Sequence, residues 1–265
     1  MIPLPLALRR AAKVLLGRER YWRYDLRRKH LRLGEGYNAW NIDARTRLGP
    51  DSVVYSVGIG WDIGFDRALI RRFGCTVHAF DPTPSSIEWT RTQTLPPEFI
   101  IHEVGLAEYD GWATIEWSNK PRSFVANMPQ RDGHPRVPVA RLETICKELR
   151  HARIDLIKID IEGAEYAVLD DLVRHGPWPR QLLVEFHHRL PGVGLARTKQ
   201  AVSELREIGY ALFAVSGTGE EFSFLHAGPQ YCETERVPGF AEHPGLEDEA
   251  CERSRAHAPA LGSGH

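Results

Sequence analysis

Short β-rich runs alternate with helix-period stretches along most of this chain, and that alternation restricts its fold more than any other feature. Val53–Val57 (VVYSV) is followed by glycines and then by Phe65, Leu69 and Phe73, one face of a helix that Gly74 is placed to stop. Thr76–Phe80 (TVHAF) leads into Asp81-Pro82-Thr83-Pro84, where Thr83 suits an N-cap and Pro84 a first helical position. Phe99–Ile101 and Ala113–Trp117 are further strand candidates. A helix carrying Leu142, Ile145, Cys146 and Leu149 runs into Leu156–Asp160 (LIKID), then a helix with Leu169, Leu172 and Val173. Leu182–Phe186 (LLVEF) precedes a helix through Val202, Leu205 and Ile208 that ends at Gly209. Ala211–Val215 and Phe222–Leu225 flank Gly217-Thr218-Gly219 and read as a hairpin. Parallel strands need crossover helices, so the pattern predicts an α/β fold with a mostly parallel sheet covered on both faces.

The 265 residues suit one medium-sized domain with short additions. The near-neutral charge of −1 lacks the basic footprint of a nucleic-acid binder, so no nucleic-acid partner is expected. No apolar run reaches the roughly 18 residues of a membrane span. The neutral total has parts, however. Residues 1–36 hold ten Lys/Arg against three acids, a net of +7, and the remainder balances them with −8. We therefore divide the chain into a basic helical extension (1–36), a main domain (37–236) and a flexible polar tail (237–265). Of the four cysteines none is spaced Cys-x-x-Cys; Cys75 and Cys146 lie in apolar contexts and read as buried thiols. The N-terminus lacks the order of a secretory signal, so the expectation is a cytoplasmic protein. Leu, Trp and Tyr accompany Arg and Lys in residues 1–36. One reading of that stretch is a solvated charged face; the other is peripheral contact with the inner face of the membrane.

In an open parallel sheet, ligands bind beyond the carboxyl ends of the strands. Gly58 and Gly60 follow the first strand and precede a helix, where glycine lets the backbone approach a ligand. Asp81 ends the second strand, 23 residues after Gly58, where an acid can accept hydrogen bonds from ribose hydroxyls. In Lys158-Ile-Asp160-Ile-Glu162-Gly163-Ala-Glu165, strand alternation would put Lys158, Asp160 and Glu162 on one face. Three ionisable groups there are costly unless paired or functional. Glu185-Phe186-His187-His188 closes another strand, with Glu185 and His187 on one face.

These segments (VYSVGIGWDIGFD, VHAFDPTP, IDLIKIDIEGAEYAVL and QLLVEFHH) resemble the FkbM-type S-adenosylmethionine-dependent methyltransferases, from about Tyr37 to His226. The Lys-x-Asp-x-Glu-Gly-x-Glu segment is the most specific part. The resemblance implies a Rossmann-like class I methyltransferase fold, with a seven-stranded sheet closed by a C-terminal antiparallel hairpin. It implies S-adenosyl-L-methionine as cofactor and O-methylation of a small-molecule or glycan hydroxyl. By position, Gly58 and Gly60 would line the methionine side, Asp81 would hold the ribose, and Asp160 and Glu162 would face the methionine and acceptor. The wider methyltransferase loop carries an acid two before the first glycine and a third glycine two after the second. Here those positions are Ser56 and Asp62, and Asp62 is assigned to the cofactor's ammonium.

A hydroxyl is a poor nucleophile, so a base should take its proton as the new bond forms. The candidates are His187 or His188, with Asp160 as orienting partner or alternative base, and Glu162 and Glu185 next. A divalent ion among Asp160, Glu162, Glu185 and His187 is a variant with no compact ligand motif, and no metal is assigned. Two other classes remain. Gly58-x-Gly60-x-x-x-Gly64 with a downstream acid also suits a nicotinamide-dependent oxidoreductase, although no Tyr-x-x-x-Lys pair is present. The third is a non-enzymatic scaffold that binds a partner through its basic segment. Oligomeric state is left open.

Overall fold

The computed structural model describes residues 6–17, 19–117, 124–125 and 135–226. In chain order these form α1 (Leu6–Leu15), β1 (His30–Leu33), a short 3-10 turn, β2 (Trp40–Asp43), β3 (Val53–Val57), α2 (Gly64–Phe73), β4 (Thr76–Phe80), α3 (Pro84–Arg91) and β5 (Phe99–His102). They continue with β6 (Gly105–Leu106), β7 (Gly111–Thr114), β8 (Glu116–Trp117), β9 (Phe124–Val125), β10 (Arg136–Ala140), α4 (Leu142–Leu149), β11 (Leu156–Ile159) and α5 (Glu165–His175). Last come β12 (Gln181–Glu185), α6 (Gly194–Glu207), β13 (Tyr210–Val215) and β14 (Glu221–His226).

Seven strands make the main sheet, in the order β13-β14-β12-β11-β3-β4-β5. The pairs from β12 through β11, β3 and β4 to β5 are parallel, and β14 is antiparallel to both β12 and β13. Strand order reverses at β3/β11, so the carboxyl ends of those two strands bound the crevice where a ligand belongs. This order, with its closing antiparallel hairpin, is the one the resemblance implies.

Alternation along each strand fills two cores. On one face Tyr55, Val57, Ile157, Ile159, Leu182 and Val184 pack under Leu142 and Ile145 of α4, Leu169 of α5 and Leu205 of α6. On the other, Val54, Val77, Leu156 and Leu183 meet Phe65 and Leu69 of α2 and Trp40 and Ile42 of β2. Gly74 ends α2 at φ 65, the left-handed stop expected of it. Cys75 and Cys146 are buried free thiols.

Two features lay outside the strand–helix pattern. β1 and β2 pair as a hairpin across Gly34–Gly36, where the sequence placed a domain boundary. The hairpin is stitched to the sheet: the Asp43 N–H donates to Gln181 Oε1 (2.9 Å) and Ser223 Oγ donates to the Asn41 carbonyl (2.8 Å). Residues 19–26 also lie on the body. The Asp25 N–H donates to the Leu212 carbonyl, and Trp22 packs edge-on against Phe222. The second feature is a small sheet, β6-β10-β7, with a core of its own around Ala113, Val137 and Val139. The polar tail with Cys251, and residues 227–236 with Cys232, lie outside the described residues.

Candidate active site

A cavity of about 440 Å³ opens at the carboxyl ends of β3, β4, β11 and β12. That lies within the roughly 300–1,000 Å³ of small-molecule sites. Its floor is the loop after β3. Gly58 sits at φ 74, and a Cβ there would stand 1.7 Å from the Asp160 carbonyl oxygen. The glycine is thus demanded by the chain itself, which brings β3 and β11 together at the crevice. Gly60 is different: at φ 52 it has no atom within 4 Å of a Cβ position, and it borders the cavity. Its N–H donates to Asp81 Oδ2 (3.0 Å), while Asp81 Oδ1 accepts from the Thr83 N–H (2.8 Å). Burial pushes the Asp81 carboxyl up, and those backbone donors work against the shift. Asp62 lies two residues before α2: its Oδ1 accepts from the Gly64 N–H (2.6 Å) and its Oδ2 from Asn38 Nδ2 (2.5 Å).

Opposite the loop is a cluster of charges. Lys158 is buried, donates from Nζ to the Gly58 carbonyl (2.5 Å), and lies 3.5 Å from Asp160 Oδ2. The strand ends at Ile159, so Glu162 does not reach the cavity by alternation as the sequence suggested. It gets there through a turn in which Glu162 has φ 52 and Gly163 φ 106. A left-handed glutamate is strained, and such strain gathers at functional sites. His187 Nε2 is 3.5 Å from Glu162 and 3.9 Å from both Asp160 and Glu185. Its other nitrogen, Nδ1, lies 3.2 Å from Glu165 Oε1, an oxygen that also accepts the His187 N–H (2.9 Å). Burial works against charge on His187, but the Glu165 hydrogen bond and the charges of Glu165, Glu185 and Asp160 together raise it to about 10. Burial, then the Asp160 charge, raises Glu185 to about 9. Burial also raises Glu162.

Comparison with known proteins settles the class of molecule. The family model described as the methyltransferase FkbM domain matches residues 58–212, more than half of the chain. The chain belongs to the FkbM methyltransferase family. Probable methyltransferase-like protein 24 is 26% identical in Rattus norvegicus and 27% in Homo sapiens, each over 151 residues. That is 56% of this chain and 36% of those proteins, so the chain spans about a third of the length of these relatives. Methyltransferase FkbM from Methylobacillus flagellatus superposes with a TM-score of 0.43 at 13% identity, covering 68% of this chain and 44% of that one. A precorrin-6y C5,15-methyltransferase from Geobacter metallireducens gives 0.36 at 14% identity, over 64% and 69%.

FkbM proteins use S-adenosylmethionine, and the residues here fit it. Asp81 is a buried carboxylate at the end of β4, and the space beside Gly60 is open. Buried Ser86 Oγ and Asp66 Oδ1 belong to residues that border the cavity, and neither atom has a protein partner. The carboxylate of Asp160, which borders the cavity, suits a cationic cofactor.

Of the residues singled out from sequence, Gly58, Gly60, Asp62, Asp81, Asp160 and Glu162 all border this cavity, and His187 touches the last two. His188 does not join them. It follows the end of β12 and is buried outside the cavity lining, 3.4 Å from Glu19, a residue also gripped by Arg189. The sequence reading left out Glu165 as a site residue. It is wholly buried at the start of α5 and holds both His187 and the Gly163 N–H (2.8 Å). Its place in the Glu-Gly-x-Glu segment was the available signal. It also missed the apolar wall built by Leu106, Ala113, Val137 and Val139 of the small sheet with Ile115 packed beside them.

Proposed function

We propose that this FkbM protein transfers the methyl group of S-adenosylmethionine to a hydroxyl oxygen of a glycan or small metabolite. The observation that carries this reading is the carboxylate–histidine cluster facing the cofactor crevice across one cavity. Methyl transfer to a free amine or thiolate needs no such array, whereas a hydroxyl must lose a proton. Bound S-adenosylmethionine supplies an already activated methyl group, so the chain has to bind, orient and remove a proton.

Asp81 receives the ribose hydroxyls, and Asp160 lies towards the sulfonium end. Lys158 ties the Gly58 carbonyl to Asp160 and so fixes the loop against β11. The apolar wall excludes water from the acceptor side. His187 holds its own proton at neutral pH because of the carboxylates around it, and it orients Glu162 and Asp160. Glu162 is therefore our proton acceptor: it faces the cavity, and its turn aims it there. This moves the base from the histidines favoured by sequence to a neighbouring carboxylate.

The test is incubation with methyl-labelled S-adenosylmethionine and a panel of hydroxylated glycans and metabolites, read by mass spectrometry and NMR. Label on oxygen is expected, with Glu162→Gln slowed on the order of 100-fold at unchanged cofactor affinity. Label on nitrogen or carbon, or no calorimetric binding of the demethylated cofactor, would overturn the proposal.

The acceptor class also has a bearing on the N-terminal segment. Leu15 and Leu16 are 87% and 69% exposed, and Tyr21 and Tyr24 are exposed beside them, within a stretch of net charge +7. No helix among the described residues is long and apolar enough to cross a membrane. Exposed leucines and tyrosines among arginines support peripheral contact with an anionic lipid surface, which would suit a lipid-linked acceptor. Co-sedimentation with anionic vesicles should fall when Leu15 and Leu16 are changed to Ser; unchanged binding would remove the idea.

A further inference from the structure

We propose that Asp160, Glu185 and His187 form a divalent-cation site that receives the acceptor hydroxyl. One ligand atom from each residue lies within 4.8 Å of the other two. Ligand atoms about 2.1 Å from one cation stand roughly 3 Å apart when adjacent and roughly 4.2 Å apart when opposite. The His187 Nε2 distances to Asp160 Oδ1 and Glu185 Oε1, both 3.9 Å, fall inside that range.

A second observation supports the site independently of the cluster. A metal-bound histidine almost always gives its far nitrogen to a carboxylate or carbonyl, which fixes the ring and sets the tautomer. His187 does this: Nδ1 faces the fully buried Glu165, which is itself held by the His187 and Gly163 N–H groups, and Nε2 is left for the cluster. Asp160 is divided in the same way. Its Oδ2 faces Lys158, and its Oδ1 faces His187.

Two carboxylates and one imidazole, open on the cavity side, suit a hard or borderline ion such as Mn²⁺ or Mg²⁺; on binding, the ion displaces to solvent the protons that His187 Nε2 and Glu185 hold in its absence, and water or the acceptor oxygen completes the shell. A cation there would lower the acceptor hydroxyl's pKa, and Glu162 would then take its proton. That role rests on the methyl-transfer reading, whereas binding of the ion does not.

The experiment uses the full chain, stripped with chelator and titrated with Mn²⁺ while the electron paramagnetic resonance signal of free Mn²⁺ is followed. One saturable site per chain is expected, with Mg²⁺ competing. Glu185→Gln and His187→Ala should each weaken binding by about tenfold or more, and Glu165→Gln by about tenfold without touching the ion. Circular dichroism melts identify any variant that fails to fold, and Glu185→Gln is the mildest of the set. Asp81→Asn should lose affinity for the demethylated cofactor and keep its Mn²⁺. Absence of saturable Mn²⁺ and Mg²⁺ binding at millimolar concentration refutes the site. So does binding that Glu185→Gln and His187→Ala leave unchanged. Mn²⁺ binding without cofactor binding would sink the methyl-transfer reading and leave the cation site standing.

Discussion

Gly58 and Gly60 are two residues apart in one loop, yet alanine should harm them in different ways. At Gly58 an alanine Cβ would overlap the Asp160 carbonyl oxygen at 1.7 Å. Relief requires β3 and β11 to separate by more than 1 Å at their carboxyl ends (roughly the gap to normal van der Waals contact). That would strain the Asp160 N–H bond to Val57 and the Lys158 bond to the Gly58 carbonyl. A left-handed alanine costs about 1 kcal/mol, each weakened bond about 1 kcal/mol, and overpacking about 1–3 kcal/mol. We expect Gly58→Ala to lose roughly 4–6 kcal/mol, a fall in Tm on the order of 10 °C or more. At Gly60 the added methyl group meets nothing within 4 Å, so only the left-handed cost of about 1 kcal/mol remains. That methyl group would occupy cavity space beside Asp81, and cofactor affinity should fall about tenfold, or about 1.4 kcal/mol. Thermal melts and calorimetry with the demethylated cofactor measure both effects. A Gly58→Ala protein that melts with the wild type would refute the close-approach argument. A Gly60→Ala protein with undiminished affinity would place the cofactor elsewhere.

Other expectations follow from the histidines. His188→Ala should keep turnover within about twofold, because the ring lies away from the cavity, but lose about 1–3 kcal/mol of stability through Glu19; a large loss of turnover at full stability would reverse our placement. His78 stacks on His102 and meets His151 edge-on, with Tyr55 and Cys146 close by. Burial, then the charges of His151 and His102, lowers His78 to about 4, and burial likewise lowers His102 and His151. A depressed folded pKa gives stability that is complete above the unfolded value near 6.5 and is lost as pH falls through about 4. After allowance for solvent screening, His78 should account for on the order of 1–2 kcal/mol. The Tm of the wild type should therefore drop between pH 6.5 and 4 more steeply than that of His78→Phe, and parallel curves would show that the cluster does not titrate as described.

The strand–helix order of the body was legible because each element carries its own period. VVYSV, TVHAF, LIKID and LLVEF alternate or run apolar between glycines, and the helices between them repeat every three to four residues. The small strands gave no such signal. β6 has two residues, and β10 contains Pro138, which ordinarily argues against a strand. The β1–β2 hairpin was hidden by composition, since Arg32, Gly34 and Gly36 read as the end of a basic extension.

At the site, sequence by itself determined which residues stand at strand ends, and hence that Gly58, Gly60, Asp81 and Asp160 gather at one edge. Tertiary structure decided what each residue meets there. His187 follows the end of β12 and lies against the carboxylates, but only the placing of α5 brought Glu165 under it and raised its pKa. Only the docking of residues 19–26 put Glu19 beside His188 and took that histidine out of the site. Local periodicity reports which face a side chain takes. The charge it holds depends also on neighbours such as Glu165, 22 residues from His187 in sequence, and those are known only once the chain has folded.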